Sequence, residues 1–292
     1  MSAPLSRAEI RRVVEAAMAE DAPFGDVTVA ALVPADAVAV AHLVAREAGV
    51  LAGAEVFEVA MTSVDPTVVV TLHAVDGDTF QPGDRLASVE GPARAVLQAE
   101  RVALNLVARM SAVATLTARY VAEVAGTGAR VVDTRKTTPG LRALERHAVR
   151  CGGGHNHRFS LSDAVMAKDN HLALLDDVTS ALREAAERLP HTTHIEVEVD
   201  RLDQVEPVLA SGVVGTIMLD NFSLGDLRTG VEQVAGRATI EASGGITLET
   251  IGDVARTGVD VISVGALTHG VPAIDLGLDV DVRLGGSGGA VS

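Results

Sequence analysis

The sequence is short of several residue types, and each shortage narrows what the chain can do. It has no tryptophan and one tyrosine, so the aromatic platforms on which proteins stack nucleic-acid bases are poorly supplied. A single cysteine, Cys151, excludes an internal disulfide framework and any all-cysteine zinc site, and it suits a reducing compartment. No apolar run approaches the roughly 18–20 residues of a membrane-spanning helix, and the opening MSAPLSRAEI lacks the apolar stretch of a signal peptide. The expectation is a cytoplasmic protein. Lysine is nearly absent: Lys136 and Lys168 are the only two, against 22 arginines. A GC-rich genome and a salty cytoplasm would each produce that shortage, and composition does not separate them.

What is present points to a soluble two-domain chain. Its 292 residues, 48% of them hydrophobic, are enough for a large core. A net charge of −15 repels phosphate backbones and anionic lipid surfaces, which disfavours broad nucleic-acid or membrane contact. An anionic ligand must therefore meet a local cationic pocket.

From about Arg130 onward, short β-branched runs alternate with longer amphipathic ones: ARVVDT, LRALERHAVR, AVMAKD, DDVTSALREAAERL, THIEVEV, LDQVEPVLAS, GTIMLD, LGDLRTGVEQVAG, ATIEAS, LETIGDVARTG and DVISVG. Six strand-then-helix units with brief links predict a parallel β/α barrel-like domain over residues 108–270. Upstream, helical SRAEIRRVVEAAMAE precedes strand-like AVAVAHLVAREAGVLAG, TVVVTLHAVDGDTF and GDRLASVEG, which read as a separate α+β domain over residues 1–107. The joining stretch ARAVLQAERVALNLVARMSAVATLTARYVAEVAG is too long for one ordinary helix and is expected to break near Ser111. The alternating segment AIDLGLDVDVRL, within residues 271–284, is expected to return to the first domain, and the GGSGGAVS tail, residues 285–292, to be disordered.

Parallel β/α folds bind ligands at the carboxyl ends of their strands, so the residues just after each apolar run form a test set. These are Asp133, Thr134, Arg135 and Lys136; Lys168 and Asp169; Glu196, Glu198 and Asp200; Asp220 and Asn221; then Ser243–Gly245 and Val264–Ala266. Both lysines face one mouth. Small Gly-rich loops after the last two strands expose backbone N–H groups, and a following helix would add its positive end, so Ser243, Gly244, Gly245 and Gly265 form a candidate phosphate cradle. The bland reading of the same glycines is tight turns. Period-two alternation in EVEVD puts Glu196, Glu198 and Asp200 on one face. These are either a solvent-facing acidic edge or, if the strand is internal, carboxylates that need a partner. A hydrated Mg²⁺ shared by Glu198 and Asp220 fits the second case. In RCGGGHNHRFS, His155, His157 and Arg158 offer a cationic lining; a zinc site with Cys151 and a plain connector are the alternatives.

These segments in this order resemble the quinolinate phosphoribosyltransferase family, the carboxylating nicotinate-nucleotide pyrophosphorylases. The resemblance rests on ERVALN, DTRKTTPGLRALERHAVRCGGGHNHR, KDNH, EVEVD, LDNF, SGG and VGALTH, with EDAPFGDVT and IDLGLDV at the ends. It covers nearly the whole chain. It implies a type II phosphoribosyltransferase fold: an N-terminal open α+β sandwich domain and an incomplete six-stranded parallel β/α barrel. It further implies homodimers with shared sites, able to assemble further, in which Arg101 reaches a partner's barrel. By the same resemblance Arg101, Arg135, His157 and Arg158 bind the carboxylates of quinolinate. Lys136 and Lys168 serve quinolinate and phosphoribosyl pyrophosphate, Glu198 and Asp220 hold Mg²⁺ and ribose, and Ser243, Gly244, Gly265 and His269 bind the 5-phosphate.

The implied reaction gives nicotinate mononucleotide, pyrophosphate and CO₂. Three other readings remain: a paralogue acting on a different base, an aldolase-like lyase using a lysine Schiff base, and an inactive sugar-phosphate binder.

Overall fold

The protein is described by a computed structural model over residues 5–283. In chain order the elements are α1 (Arg7–Asp21), α2 (Val27–Leu32), β1 (Val38–Ala45), β2 (Gly49–Val50), α3 (Ala54–Thr62), β3 (Val69–Leu72), β4 (Thr79–Phe80), β5 (Arg85–Pro92) and α4 (Ala93–Glu123). They continue with β6 (Arg130–Val132), α5 (Arg142–Cys151), β7 (Val165–Ala167), α6 (Asp169–Leu172), α7 (Val178–Arg188), β8 (Ile195–Val199) and α8 (Val205–Leu209). Last come β9 (Thr216–Asp220), α9 (Leu224–Val234), β10 (Thr239–Ser243), α10 (Ile251–Ala255), β11 (Val261–Ser263) and β12 (Leu276–Arg283). The expected disordered tail, residues 285–292, lies outside the described residues.

The chain forms two compact units, with the division running through α4. The first holds the described residues up to Leu116, Thr138–Gly153 and those from Val271 on. Its four-stranded antiparallel sheet has the order β12-β1-β5-β3, with Val38 opposite Arg283 and Ala45 opposite Leu276. Helix α1 starts on a capping box, Ser6 accepting from the Glu9 N–H while Glu9 reaches back, and it buries Ile10, Val13 and Val14. Helix α3 is buried on most sides, with Val56, Phe57, Ala60 and Met61 all at 0% exposure. Its polar stripe is narrow, Glu55, Glu58 and Thr62 at i, i+3 and i+7.

The expected break at Ser111 does not occur, because α4 is one helix of 31 residues. A serine inside a helix usually competes for backbone groups. Here Ser111 is fully buried and its hydroxyl exchanges hydrogen bonds with the backbone of Ala52, accepting its N–H at 3.1 Å and donating to its carbonyl at 3.3 Å. One turn on, Thr115 Oγ1 accepts the Val50 N–H at 2.9 Å. Tertiary partners thus satisfy the groups that would otherwise interrupt the helix.

The second unit, Thr117–Thr137 with Gly154–Gly270, is built on a six-stranded parallel sheet in the order β6-β11-β10-β9-β8-β7. No ladder joins β6 to β7, so the barrel is incomplete. All five residues of β8 are buried, as an internal strand requires. This overturns the reading of EVEVD as a solvent-facing edge. Asp200 departs from the expected shared face: β8 ends at Val199, and Asp200 is exposed where the chain turns, its N–H held by Gln204.

Candidate active site

The carboxyl ends of the barrel strands surround a cavity of ≈ 360 Å³. Its lining includes Arg135, Lys136, His157, Arg158, Lys168, Glu198, Asp220, Ser243 and Ser263. Register explains the set. In a parallel sheet the residues pointing inward recur every second position, and Glu198 pairs across with Met218 while Ser243 pairs with Asp220. A larger depression of ≈ 530 Å³ is rimmed by Asp169, Asp200 and Asp203 with one arginine, a poor match for an anion.

The basic groups are held from behind. Asp133, fully buried just past β6, accepts the His157 N–H at 2.8 Å and the Asn156 side-chain amide at 2.5 Å, which pins the Gly-rich loop over the strand ends. Its neighbour Lys136 has its N–H bonded to Thr134 Oγ1 at 3.1 Å and its carbonyl to Thr268 Oγ1 at 2.7 Å. Lys168 forms a short ion pair with the buried Glu198. Arg135 has its Nε buried without a hydrogen-bond acceptor. Burial and the charge of Arg135 both lower the pKa of Arg158, whose Nη1 donates to the Ala164 carbonyl. Two guanidiniums that repel one another, one with an unmatched donor, suit a planar carboxylate.

At the floor, His157 Nε2 lies 3.2 Å from Glu196 and 3.5 Å from Glu241, both carboxylates buried. Burial alone would lower the imidazole pKa, but the two glutamates outweigh it and raise it to about 10. The backbone N–H of Arg158 pulls the other way, since at 2.7 Å from Nδ1 it favours an unprotonated nitrogen. Two buried, uncompensated negative charges cost more than one weakened backbone hydrogen bond, so we place the extra proton on the ring. In the charged ring Nε2 faces the two carboxylates, while Nδ1 is left against the Arg158 N–H.

The phosphate-cradle candidates cluster at the ends of β10 and β11. Gly244 has φ +92°, and a Cβ there would sit 2.2 Å from the Asn221 side-chain oxygen, so only glycine fits. With Ser243 and Gly245 it lines a neighbouring cavity of ≈ 290 Å³. The helix end expected to aid the cradle is not adjacent: a single 3₁₀ turn, Gly265–Leu267, follows β11, and α10 starts only at Ile251. The candidate cradle therefore offers loop N–H groups without a helix end. His269 is exposed, its N–H bonded to the Gly265 carbonyl at 3.0 Å. His155 is exposed too, and its backbone, bonded to Val131 and Asp133, does the anchoring. Arg101 belongs to the other unit, exposed on α4 with Glu100 4.0 Å away.

Glu198 and Asp220 lie near the carboxyl ends of neighbouring strands and line one cavity; Lys168 orients the first and the Asn221 amide, at 2.6 Å, the second. Paired carboxylates are hard oxygen donors, a set that fits Mg²⁺ bound together with water or phosphate oxygens. Sequence reasoning passed over Asp133 as an anchor and missed Glu241. The signal for Glu241 was present, since it stands two residues before Ser243 and so shares its face of β10.

An open ring of six parallel strands, with basic side chains gathered at their carboxyl ends beside two carboxylates, defines a β/α-barrel enzyme that works on small polyanions. Family models described as the quinolinate phosphoribosyl transferase N-terminal and C-terminal domains match residues 26–111 and 113–279. The chain belongs to the quinolinate phosphoribosyltransferase family. It is 43% identical to the nicotinate-nucleotide pyrophosphorylase [carboxylating] of Mycobacterium leprae, over 92% of this chain and 96% of that one. It is 38% identical to the probable enzyme of that name from Bacillus subtilis, over 94% and 95%. The solved structure of NadC from Streptococcus pyogenes superposes with TM-score 0.92 at 39% identity, covering 97% of this chain and all of that one.

Proposed function

We infer that this chain carries out decarboxylating phosphoribosyl transfer, converting quinolinate and phosphoribosyl pyrophosphate into nicotinate mononucleotide, pyrophosphate and CO₂ for NAD synthesis. The observation that carries this reading is the convergence of Arg135, Arg158, Lys136 and Lys168 on one cavity in a chain of net charge −15. Two polyanions repel in water, and this cavity neutralises both where they must meet.

In the reaction the C1–O bond to pyrophosphate breaks with its electron pair leaving on oxygen, and the pyridine nitrogen donates its pair to C1. The quaternised nitrogen then withdraws electrons, the C2–carboxylate bond breaks to release CO₂, and C2 takes up a proton. Arg135 and Arg158 orient the dicarboxylate, while the lysines offset charge developing on the leaving group. Ser243, Gly244 and Gly265 offer hydroxyl and backbone N–H donors to the 5-phosphate, with His269 at the outer edge. Glu198 and Asp220 would hold Mg²⁺, which when bound neutralises pyrophosphate and so lowers the barrier to its departure.

The chain acts in the cytoplasm as a homodimer, with exposed Arg101 completing the site of a second copy and His157 contributing charge beneath the dicarboxylate. Among the described residues no helix is long and apolar enough to cross a membrane. The test is release of pyrophosphate and CO₂ from quinolinate, phosphoribosyl pyrophosphate and Mg²⁺ across a range of salt. Equal yields are expected. Turnover of nicotinate but not quinolinate would overturn the substrate assignment.

A further inference from the structure

A second cluster of ligating groups lies in the other unit, among residues that the proposed reaction does not use. His147 and Cys151 stand four residues apart on α5, which places them on one helix face. Asp76 meets them from the loop before β4. Its Oδ2 lies 2.6 Å from His147 Nε2, and its Oδ1 is fixed by the N–H groups of Gly53 and Ala54, each at 2.8 Å. One ligand atom from each of Asp76, His147 and Cys151 falls within 4.8 Å of the others, and all three side chains are only partly buried. A metal reaching them would need no opening of the core.

We propose that Asp76, His147 and Cys151 form a binding site for a borderline-soft divalent cation such as Zn²⁺, separate from the Glu198 and Asp220 pair. The ligand chemistry selects the metal: sulfur with imidazole favours zinc or cobalt over Mg²⁺, and one carboxylate plus one thiolate neutralise a double charge. The backbone N–H groups on Asp76 Oδ1 act as the outer support that aims a ligating carboxylate. Burial and the nearby Asp76 charge raise the thiol to about 12, so it is protonated until a cation enters. On binding, the thiol proton leaves to solvent. The imidazole proton moves from Nε2, where it faces Asp76, to Nδ1, so Arg150, now 3.2 Å from Nδ1, turns aside. Water fills the fourth position.

Cys151 is the only cysteine in the chain, so any thiolate-to-metal absorption reports this site alone. The experiment is titration of the full-length, chelator-stripped protein with Co²⁺, followed by Zn²⁺ competition. A near-ultraviolet charge-transfer band saturating at one equivalent and displaced by Zn²⁺ is expected. Cys151→Ser should abolish the band, and Asp76→Asn and His147→Gln should each weaken binding at least about tenfold. Absence of the band in wild type, or unchanged affinity in His147→Gln, overturns the site. Should the variants fail to fold, iodoacetamide labelling of wild type reads the same contact: Zn²⁺ must slow alkylation of Cys151 and a chelator must restore it. Equal rates with and without Zn²⁺ refute the proposal.

Discussion

Gly265→Ala isolates the contribution of Lys136 from the stability of the fold. A Cβ at Gly265 would lie 3.0 Å from Lys136 Cδ and 3.7 Å from its Nζ, and this glycine has no left-handed φ to strain. The obstacle is the far end of a flexible side chain, so the barrel should tolerate the methyl while the ammonium is displaced by a few tenths of an ångström. A misplacement of about 1 Å at a reacting centre costs roughly a hundredfold. A shift of less than half that predicts a loss of about tenfold in kcat/KM, or about 1.4 kcal/mol of transition-state stabilisation. Thermal stability should change by no more than about 0.5 kcal/mol. The assay is steady-state pyrophosphate release alongside a thermal melt. In a Lys136→Gln background the same alanine should cost less than about threefold, because the group it displaces is gone. A tenfold loss that persists in that background would refute the reasoning. Gly244→Ala serves as the contrast, since its clash with the Asn221 backbone and its positive φ should reduce stability and activity together.

Four further outcomes are expected. Lys168→Arg should lower turnover at least about tenfold, because a guanidinium clamps Glu198 in a fixed bidentate pair where an ammonium can move; near-normal rates would remove the argument. Mixing Arg101→Ala with Lys136→Ala protein should restore about a quarter of wild-type activity through hybrid dimers, and zero recovery after proven subunit exchange would count against shared sites. Glu145, 1% exposed, accepts from Arg109 at 2.9 Å and from Thr138 Oγ1 at 2.7 Å, so Glu145→Ala should destabilise the protein by about 3–5 kcal/mol in urea unfolding. The His157 pKa is raised from 6.5 to about 10, so its stabilisation is complete below about pH 6.5 and is lost as pH rises through about 10. Stability measured from pH 7 to 10 should fall more steeply in wild type than in Glu241→Gln, and parallel curves would contradict the charged ring.

Much of the second unit was legible because two local rules coincide there. Strand and helix periods differ, so the six β/α units separate in the sequence, and parallel topology sends the residue after each strand toward one mouth. Arg135, Lys136, Lys168, Glu198, Asp220 and Ser243 followed from position alone, and all line the observed cavity. Two elements misled for opposite reasons. AEVFEVAMT is only nine residues long and its polar stripe, Glu55, Glu58 and Thr62, is narrow, so α3 stood out little, while α4 carried a serine that reads as a break until its buried partner at Ala52 is known.

By itself the sequence determined the β/α order, the lack of an internal disulfide and the identity of the residues at the strand ends, because these depend on composition and on spacings of two to four residues, while the resemblance to the family rested on its longer motifs in order. The tertiary structure decided which of those residues hold one another. Lys168 meets Glu198 across 30 positions, His157 in the loop after α5 meets Glu241 on β10, and Asp76 meets His147 across 71. Such pairs depend on strand order and register, and a contact between groups far apart along the chain leaves no periodic signal in it.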